Sequence, residues 1–292
     1  MNLFWTNTIW YVLLGVLTIF EVIFSIIKAK RRKYVFAFYM TLVGAVLFFE
    51  TMILIVFKAY NYYPMIIPTS PFDDVLAGNL FSQFSVAATA LLVAVFNLEY
   101  YWILILSGIY GLIEELFLAL GIYSHNWYRT WMTILGLIIF FWWAKKSYSK
   151  SLEGIKPIKY YLYIILGLFP LDVITLLWGF ILSGYQNYSR DFMPDPVRSP
   201  YVVCLLYYLL VAITTVSIYF LKLKWRWKTM AIMTIYVINY LAYKRHIFYF
   251  LNTEWFLIFS TASIFSIYLS VVFLDRLFEA SKSSALMVER EH

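Results

Sequence analysis

The stretch WTNTIWYVLLGVLTIFEVIFSII, Trp5 to Ile27, holds one ionisable side chain, Glu21, in a run long enough to cross a bilayer, for which about 20 apolar residues suffice. Six residues of almost pure positive charge, KAKRRK from Lys28 to Lys33, follow at once. Lys and Arg collect on the cytoplasmic flank of a span, so this pair of segments sets both the fold class and a first orientation. No basic region precedes the run and no small-residue cleavage pattern follows it, so it reads as a retained helix and not as a cleaved signal.

The rest of the chain repeats that design. Of 292 residues, 63% are hydrophobic and 13% charged, too little polar surface to coat a soluble globule. About nine segments qualify as spans: near 5–27, 34–58, 75–96, 100–121, 128–143, 160–184, 201–221, 229–243 and 254–274. The fifth and eighth are short. The expected architecture is an all-α, polytopic transmembrane helix bundle, one domain over 1–275 with a short cytoplasmic tail over 276–292. No soluble-sized stretch separates the spans, and no internal repeat stands out.

Alternating nine spans gathers most of the 23 basic residues on one side: Lys28 to Lys33, Lys145 to Lys159, Lys222 to Lys228, then Arg276, Lys282 and Arg290. The other side keeps Lys58, Arg129, Arg190, Arg198, Lys244 and Arg245. The bias places the N-terminus outside and the C-terminus in the cytoplasm. The net charge of +7 thus answers to lipid headgroups and argues against a nucleic-acid partner. The single cysteine, Cys204, excludes an internal disulfide framework and a metal-thiolate cluster.

Ionisable groups inside spans are costly and mark candidate sites. They are Glu21, Glu50, Glu114, Glu115 and Asp172. Helix rise places all but Glu21 between the midplane and the outer third. The third span adds Asn79, Ser82 and Gln83 on one helical face, three and four residues apart. Glu50, Asn79, Gln83, Glu114, Glu115 and Asp172 are therefore the candidate lining of a polar outer cavity that would take a cation, a small solute or an amphiphile. The alternatives are a structural or sensory membrane component whose acids serve only interhelical hydrogen bonding, and an intramembrane enzyme acting on a lipid-like substrate. Adjacent residues point about 100° apart on a helix, so one of Glu114 and Glu115 is expected to face the cavity and the other a neighbouring helix.

His125 stands about 16 Å from Glu114 along a straight helix and is expected at the surface. Arg129 could reach inward as a counter-charge or snorkel to the headgroups. Aromatic residues are abundant and read mostly as interfacial anchors, Trp127, Trp142 and Trp143 among them. Pro194, Pro196 and Pro200 make the loop from Tyr185 to Ser199 irregular, and it is expected over the outer mouth. Asn187-Tyr188-Ser189 fits a glycosylation acceptor.

Enzyme signatures are weak. Intramembrane glutamic proteases carry EExxxR and later histidines, whereas here the position four after Glu115 is Ala119, and His246 and His292 lie at a span end and in the tail. Intramembrane prenyltransferases pair two aspartate-rich motifs, of which Asp73-Asp74 supplies part of one; a capped helix start explains these acids better. No catalytic residue, metal ligand set or cofactor is assigned. Glu114-Glu115 with Leu116-Phe117, Gly121-Ile122-Tyr123 and His125-Asn126-Trp127 resemble a family of small polytopic membrane proteins from spore-forming Gram-positive bacteria. The resemblance implies a multi-pass protein of a bacterial plasma membrane and transfers no activity.

Overall fold

A computed structural model describes residues 3–173, 186–221, 223–250 and 253–288. Among these, nine α-helices run α1 Ile9–Lys28, α2 Arg32–Glu50, α3 Pro71–Val95, α4 Tyr100–Ala119, α5 Thr130–Glu153, α6 Pro157–Val173, α7 Ser199–Phe220, α8 Trp225–Lys244 and α9 Thr253–Val288. Single wide turns extend α1 backwards over Phe4–Thr8 and α2 forwards over Thr51–Val56. The all-α bundle is as expected. Six helical segments are long and apolar enough to cross a membrane: Phe4–Lys28, Arg32–Val56, Pro71–Val95, Tyr100–Ala119, Ser199–Phe220 and Glu254–Glu279. The last turns of α5 carry Lys145, Lys146 and Lys150, and α8 begins with Arg226 and Lys228. The later part of the expected sixth span lies outside the described residues.

Two corrections concern length. The fifth helix runs to Glu153 instead of ending near 143, and α9 continues through the expected tail as far as Val288. Phe278 is fully buried, and Asp275 accepts from the Tyr160 and Tyr219 hydroxyls at 2.5 and 2.8 Å. That end of α9 is therefore part of the packed bundle.

Four short strands join the loops: β1 Tyr60–Tyr62 pairs antiparallel with β2 Tyr123–His125, and β3 Gln186–Tyr188 with β4 Phe248–Phe250. Helix, strand, helix, helix, strand, helix thus occurs twice, over α2 to α5 and over α6 to α9. The details recur as well. Gly121 and His246 both take a left-handed backbone after α4 and α8. Each is followed by an isoleucine whose carbonyl accepts a strand-end N–H, Tyr63 to Ile122 at 2.9 Å and Ser189 to Ile247 at 2.8 Å. Ser70-Pro71-Phe72 opens α3 and Ser199-Pro200-Tyr201 opens α7, with proline inside the first turn, where its missing N–H costs nothing. The same order of elements with similar turns therefore recurs, a repeat of local structure that the sequence hides.

Equivalent elements meet each other. The Phe72 and Tyr201 rings lie 4.9 Å apart. Helices α2 and α6 approach at Gly44, where a Cβ would fall 1.7 Å from the Leu166 carbonyl oxygen. One turn away the Thr41 hydroxyl donates to the Tyr163 carbonyl at 3.0 Å. Small residues and a hydroxyl at such a crossing replace the hydrophobic drive that lipid removes.

The two halves are also clamped at the ribbon end. Asp195 binds Lys58 at 2.7 Å and Arg198 at 2.8 Å, while Arg198 reaches Asn61 at 3.2 Å. Lys58 foremost, then Arg198 and two backbone N–H groups, hold the Asp195 carboxyl well below the usual carboxylate range. A carboxyl depressed in the folded state contributes stability above its ordinary pKa of about 4 and loses it as pH falls towards its folded value. Asp195→Asn is accordingly expected to lower the melting temperature at neutral pH by a margin that shrinks below about pH 4. Thermal unfolding across pH checks this, and a margin independent of pH would remove the clamp from the account.

The acids in the first turn of α3 are not its cap, in contrast to the expectation from the sequence; Ser70 is the N-cap and makes no side-chain cap bond. Asp74, buried, accepts N–H bonds from Met65, Ile66 and Ile67, so it fixes the loop after β1. Asp73 accepts from the hydroxyls of Ser70 and Tyr201 and ties the two repeat copies together.

Candidate functional site

The first repeat copy encloses a cavity of about 490 Å³. Helix α2 contributes Val46, Phe49 and Glu50, α3 contributes Ser82, Gln83 and Val86, and α4 contributes Tyr110, Ile113, Glu114 and Phe117. Along α5 the stripe Thr133, Gly136, Leu137, Phe140 and Trp143 follows the helical period and faces the same space. Tyr60, Tyr62 and Tyr123 of the β1–β2 ribbon close one end, with Tyr128 beside them.

Polar groups gather at that end. Glu114 is held by His125, whose Nε2 lies 2.7 Å from the carboxylate, and by the Thr133 hydroxyl. Glu50 accepts from the Tyr60 hydroxyl and has no basic side chain within ion-pair distance among the described residues. Burial, reinforced by the Glu50 charge, raises the Tyr60 phenol well above its ordinary value, so Tyr60 stays a neutral donor. The four tyrosines pack ring to ring: Tyr60 lies 5.6, 5.3 and 5.0 Å from Tyr62, Tyr123 and Tyr128, and Tyr62 lies 5.0 Å from Tyr123. Two carboxylates beside a cluster of aromatic rings form a surface that suits a cation, above all a poorly hydrated one such as a quaternary ammonium.

Towards the other end the lining is Val46, Val86, Leu137, Phe140, Trp143 and Leu166. Phe49 and Ile139 line the cavity and are 59% and 57% exposed.

The expected residues separate into members and non-members. Glu50, Gln83 and Glu114 line the cavity. Asn79 does not; it is buried behind it and accepts from the Gln83 amide at 3.2 Å. Glu115 turns away and accepts from Thr130 at 2.5 Å, which resolves the choice left open between the paired glutamates. Asp172 belongs to the other repeat copy, fully buried opposite Ser266 and Ser270 of α9, each 3.4 Å away, so the sixth helix brings no acid to this cavity. Glu21 accepts from Thr89 at 2.8 Å.

Two further expectations are corrected. His125 is no surface residue: the left-handed turn at Gly121 reverses the chain, and β2 carries the imidazole back over Glu114, 12% exposed. Of the two placements open for Arg129 the outward one is found: it is exposed, lines no part of the cavity and donates to the carbonyls of Asn126 and Tyr128 at 3.1 and 2.6 Å. No described residue of the 185–199 loop lines the cavity, which the β1–β2 ribbon covers instead; Tyr185 lies outside the described residues. Asn187 of the glycosylation triplet lies exposed in β3. The four tyrosines and Trp143 are lining residues that the interfacial-anchor reading passes over.

No group of three His, Cys, Asp or Glu side chains is arranged to hold a metal ion among the described residues. Comparison with family models, with curated proteins and with solved structures finds no match to this chain.

Proposed function

We propose that the chain crosses a plasma membrane nine times, with the N-terminus outside, and binds or carries a cationic amphiphile in the first-copy cavity. The topology is supported by the ribbons, which tie alternate loops together, and by the excess of Lys and Arg on the loops opposite them. The resemblance noted above points to a bacterial membrane.

One observation carries the functional reading: Glu50 and Glu114 stand with four tyrosines at one end of a cavity whose walls further away are mostly valine, leucine, phenylalanine and tryptophan. A cationic head fits the carboxylate and ring end by charge and cation–π attraction. An alkyl chain fits the valine, leucine and aromatic walls. A packing role suits the other acids better. Glu21, Glu115 and Asp172 each face hydroxyls of a neighbouring helix, the arrangement by which polar side chains hold helices together in lipid.

Gly136 supplies the test. It lines the cavity, and a Cβ placed there meets nothing within 4 Å. The Cβ position is thus open, and Gly136→Phe is the variant expected to fill the space. Purified Gly136→Phe is expected to keep its thermal stability and to lose at least about tenfold in affinity for dodecyltrimethylammonium, the scale of about 1.4 kcal/mol. Unaltered affinity in a folded variant would place the ligand elsewhere and remove the proposal.

A further inference from the structure

A second cavity lies at the opposite end of the bundle from the ribbons, where α5 passes into α6, and we infer that it holds the phosphate headgroup of an anionic lipid. It measures about 520 Å³ and is walled by Trp142, Trp143, Ser147, Ser151 and Tyr163, with Lys146, Lys150, Lys156 and Lys159 around it. Of these only Trp143 also lines the tyrosine-capped cavity, so the two sites are separate and the inference does not rest on the function proposed above.

The chemistry follows from charge and position. None of the four lysines has a carboxylate within ion-pair distance among the described residues, and Glu153 is the single acid in the wall. Four ammonium groups, each with three donors, thus surround a recess with an uncompensated positive field. Lys156 and Lys159 also flank the N-terminus of α6 at Pro157, whose free N–H groups and dipole favour an anion. Gly154, at φ 137°, makes the reversal that brings the end of α5 and the start of α6 to face each other.

Phosphate is the anion that such a set of donors suits, and the surroundings favour a lipid over a free ion. The recess lies where α5 changes from Phe140, Phe141, Trp142 and Trp143 to Lys145 and Lys146, which is the depth of headgroups. Lys146 Nζ sits 4.6 Å from the centre of the Trp142 ring. Trp142 is 42% exposed, and Ile139 one turn away is 57% exposed. A phosphate among the lysines leaves its acyl chains along that apolar strip. Basic recesses between helices on the cytoplasmic side take anionic headgroups in this manner.

The test uses the full-length protein in nanodiscs of phosphatidylcholine containing a minority of phosphatidic acid, with bound lipid counted by native mass spectrometry. Wild type is expected to retain phosphatidic acid in preference to phosphatidylcholine. The Lys150→Gln/Lys156→Gln variant should lose about thirtyfold in apparent affinity, at the usual worth of each lysine beside a lipid headgroup. Lys146→Gln/Lys159→Gln, a second pair, should behave alike, and all four side chains are exposed enough to be replaced without loss of fold. A control, Lys28→Gln/Lys228→Gln, removes equal charge from the same end outside the recess and should retain the lipid. Equal loss in control and recess variants would reduce the effect to general surface attraction and overturn the inference. Full competition by inorganic phosphate would overturn the lipid as occupant.

Discussion

Replacing Gly44 by alanine should cost more than about 3 kcal/mol, the upper range for overpacking a close contact, and should part the two repeat copies where they meet. The added Cβ would stand 1.7 Å from the Leu166 carbonyl oxygen and 2.5 Å from its carbon. Both are backbone atoms of α6, so no rotamer change can make room, and the helices must separate. Separation would also break the bond from Thr41 to Tyr163, which in lipid has no water to replace it. Gly108→Ala is the matched control: its Cβ meets nothing within 4 Å, and helix propensity alone should stabilise by up to about 1 kcal/mol. Thermal unfolding of both variants checks the pair. A tolerated Gly44→Ala would mean that α2 and α6 do not approach as closely as described.

The second large effect is on binding. Glu50→Gln should weaken a quaternary ammonium ligand about thirtyfold, the loss of one charge-assisted contact worth roughly 2 kcal/mol, while keeping an acceptor for the Tyr60 hydroxyl. Glu114→Gln should cost less. Its carboxylate is already engaged by His125 and Thr133, so part of its charge is spent within the protein, whereas Glu50 answers only to a phenol. The order of the two losses is the diagnostic. Equal or reversed losses, read by equilibrium binding to folded variants, would assign the head of the ligand to Glu114 instead.

Much of this was legible in the sequence because hydropathy and charge act over long runs. The apolar stretches and the basic loops mark the helices whatever their packing, and Glu50, Gln83 and Glu114 mark the cavity because a polar group in lipid needs a reason to be there. Local reversals were not legible. Gly121 announced the end of α4, but that the next residues would form a three-residue strand against Tyr60 to Tyr62 depends on a partner some 60 residues away, and strands so short carry no period. His125 was misplaced for that reason alone. The repeat escaped because its two copies share only what the turns require: a Ser-Pro opening of α3 and α7, an Asn-Tyr in β1 and β3, a left-handed residue before Ile122 and Ile247. Lipid-facing positions between them accept any apolar side chain, so the two copies need not resemble each other in sequence. Asp172 was grouped with the other acids because depth in the membrane can be estimated from helix rise, whereas which neighbour a helix face meets cannot.

The proposed site makes one demand above the rest, that the head of the ligand be positive. Binding of two amphiphiles with the same dodecyl chain, one ending in trimethylammonium and one in sulfate, should be measured on the purified wild-type protein by equilibrium dialysis. Saturable binding of the ammonium compound at one site per chain is expected, with none of the sulfate at that site. Sulfate held in the lysine recess would be lost in Lys150→Gln/Lys156→Gln without affecting the ammonium site. Displacement of the ammonium compound by the sulfate, or no saturable binding of the ammonium compound, would contradict the proposal.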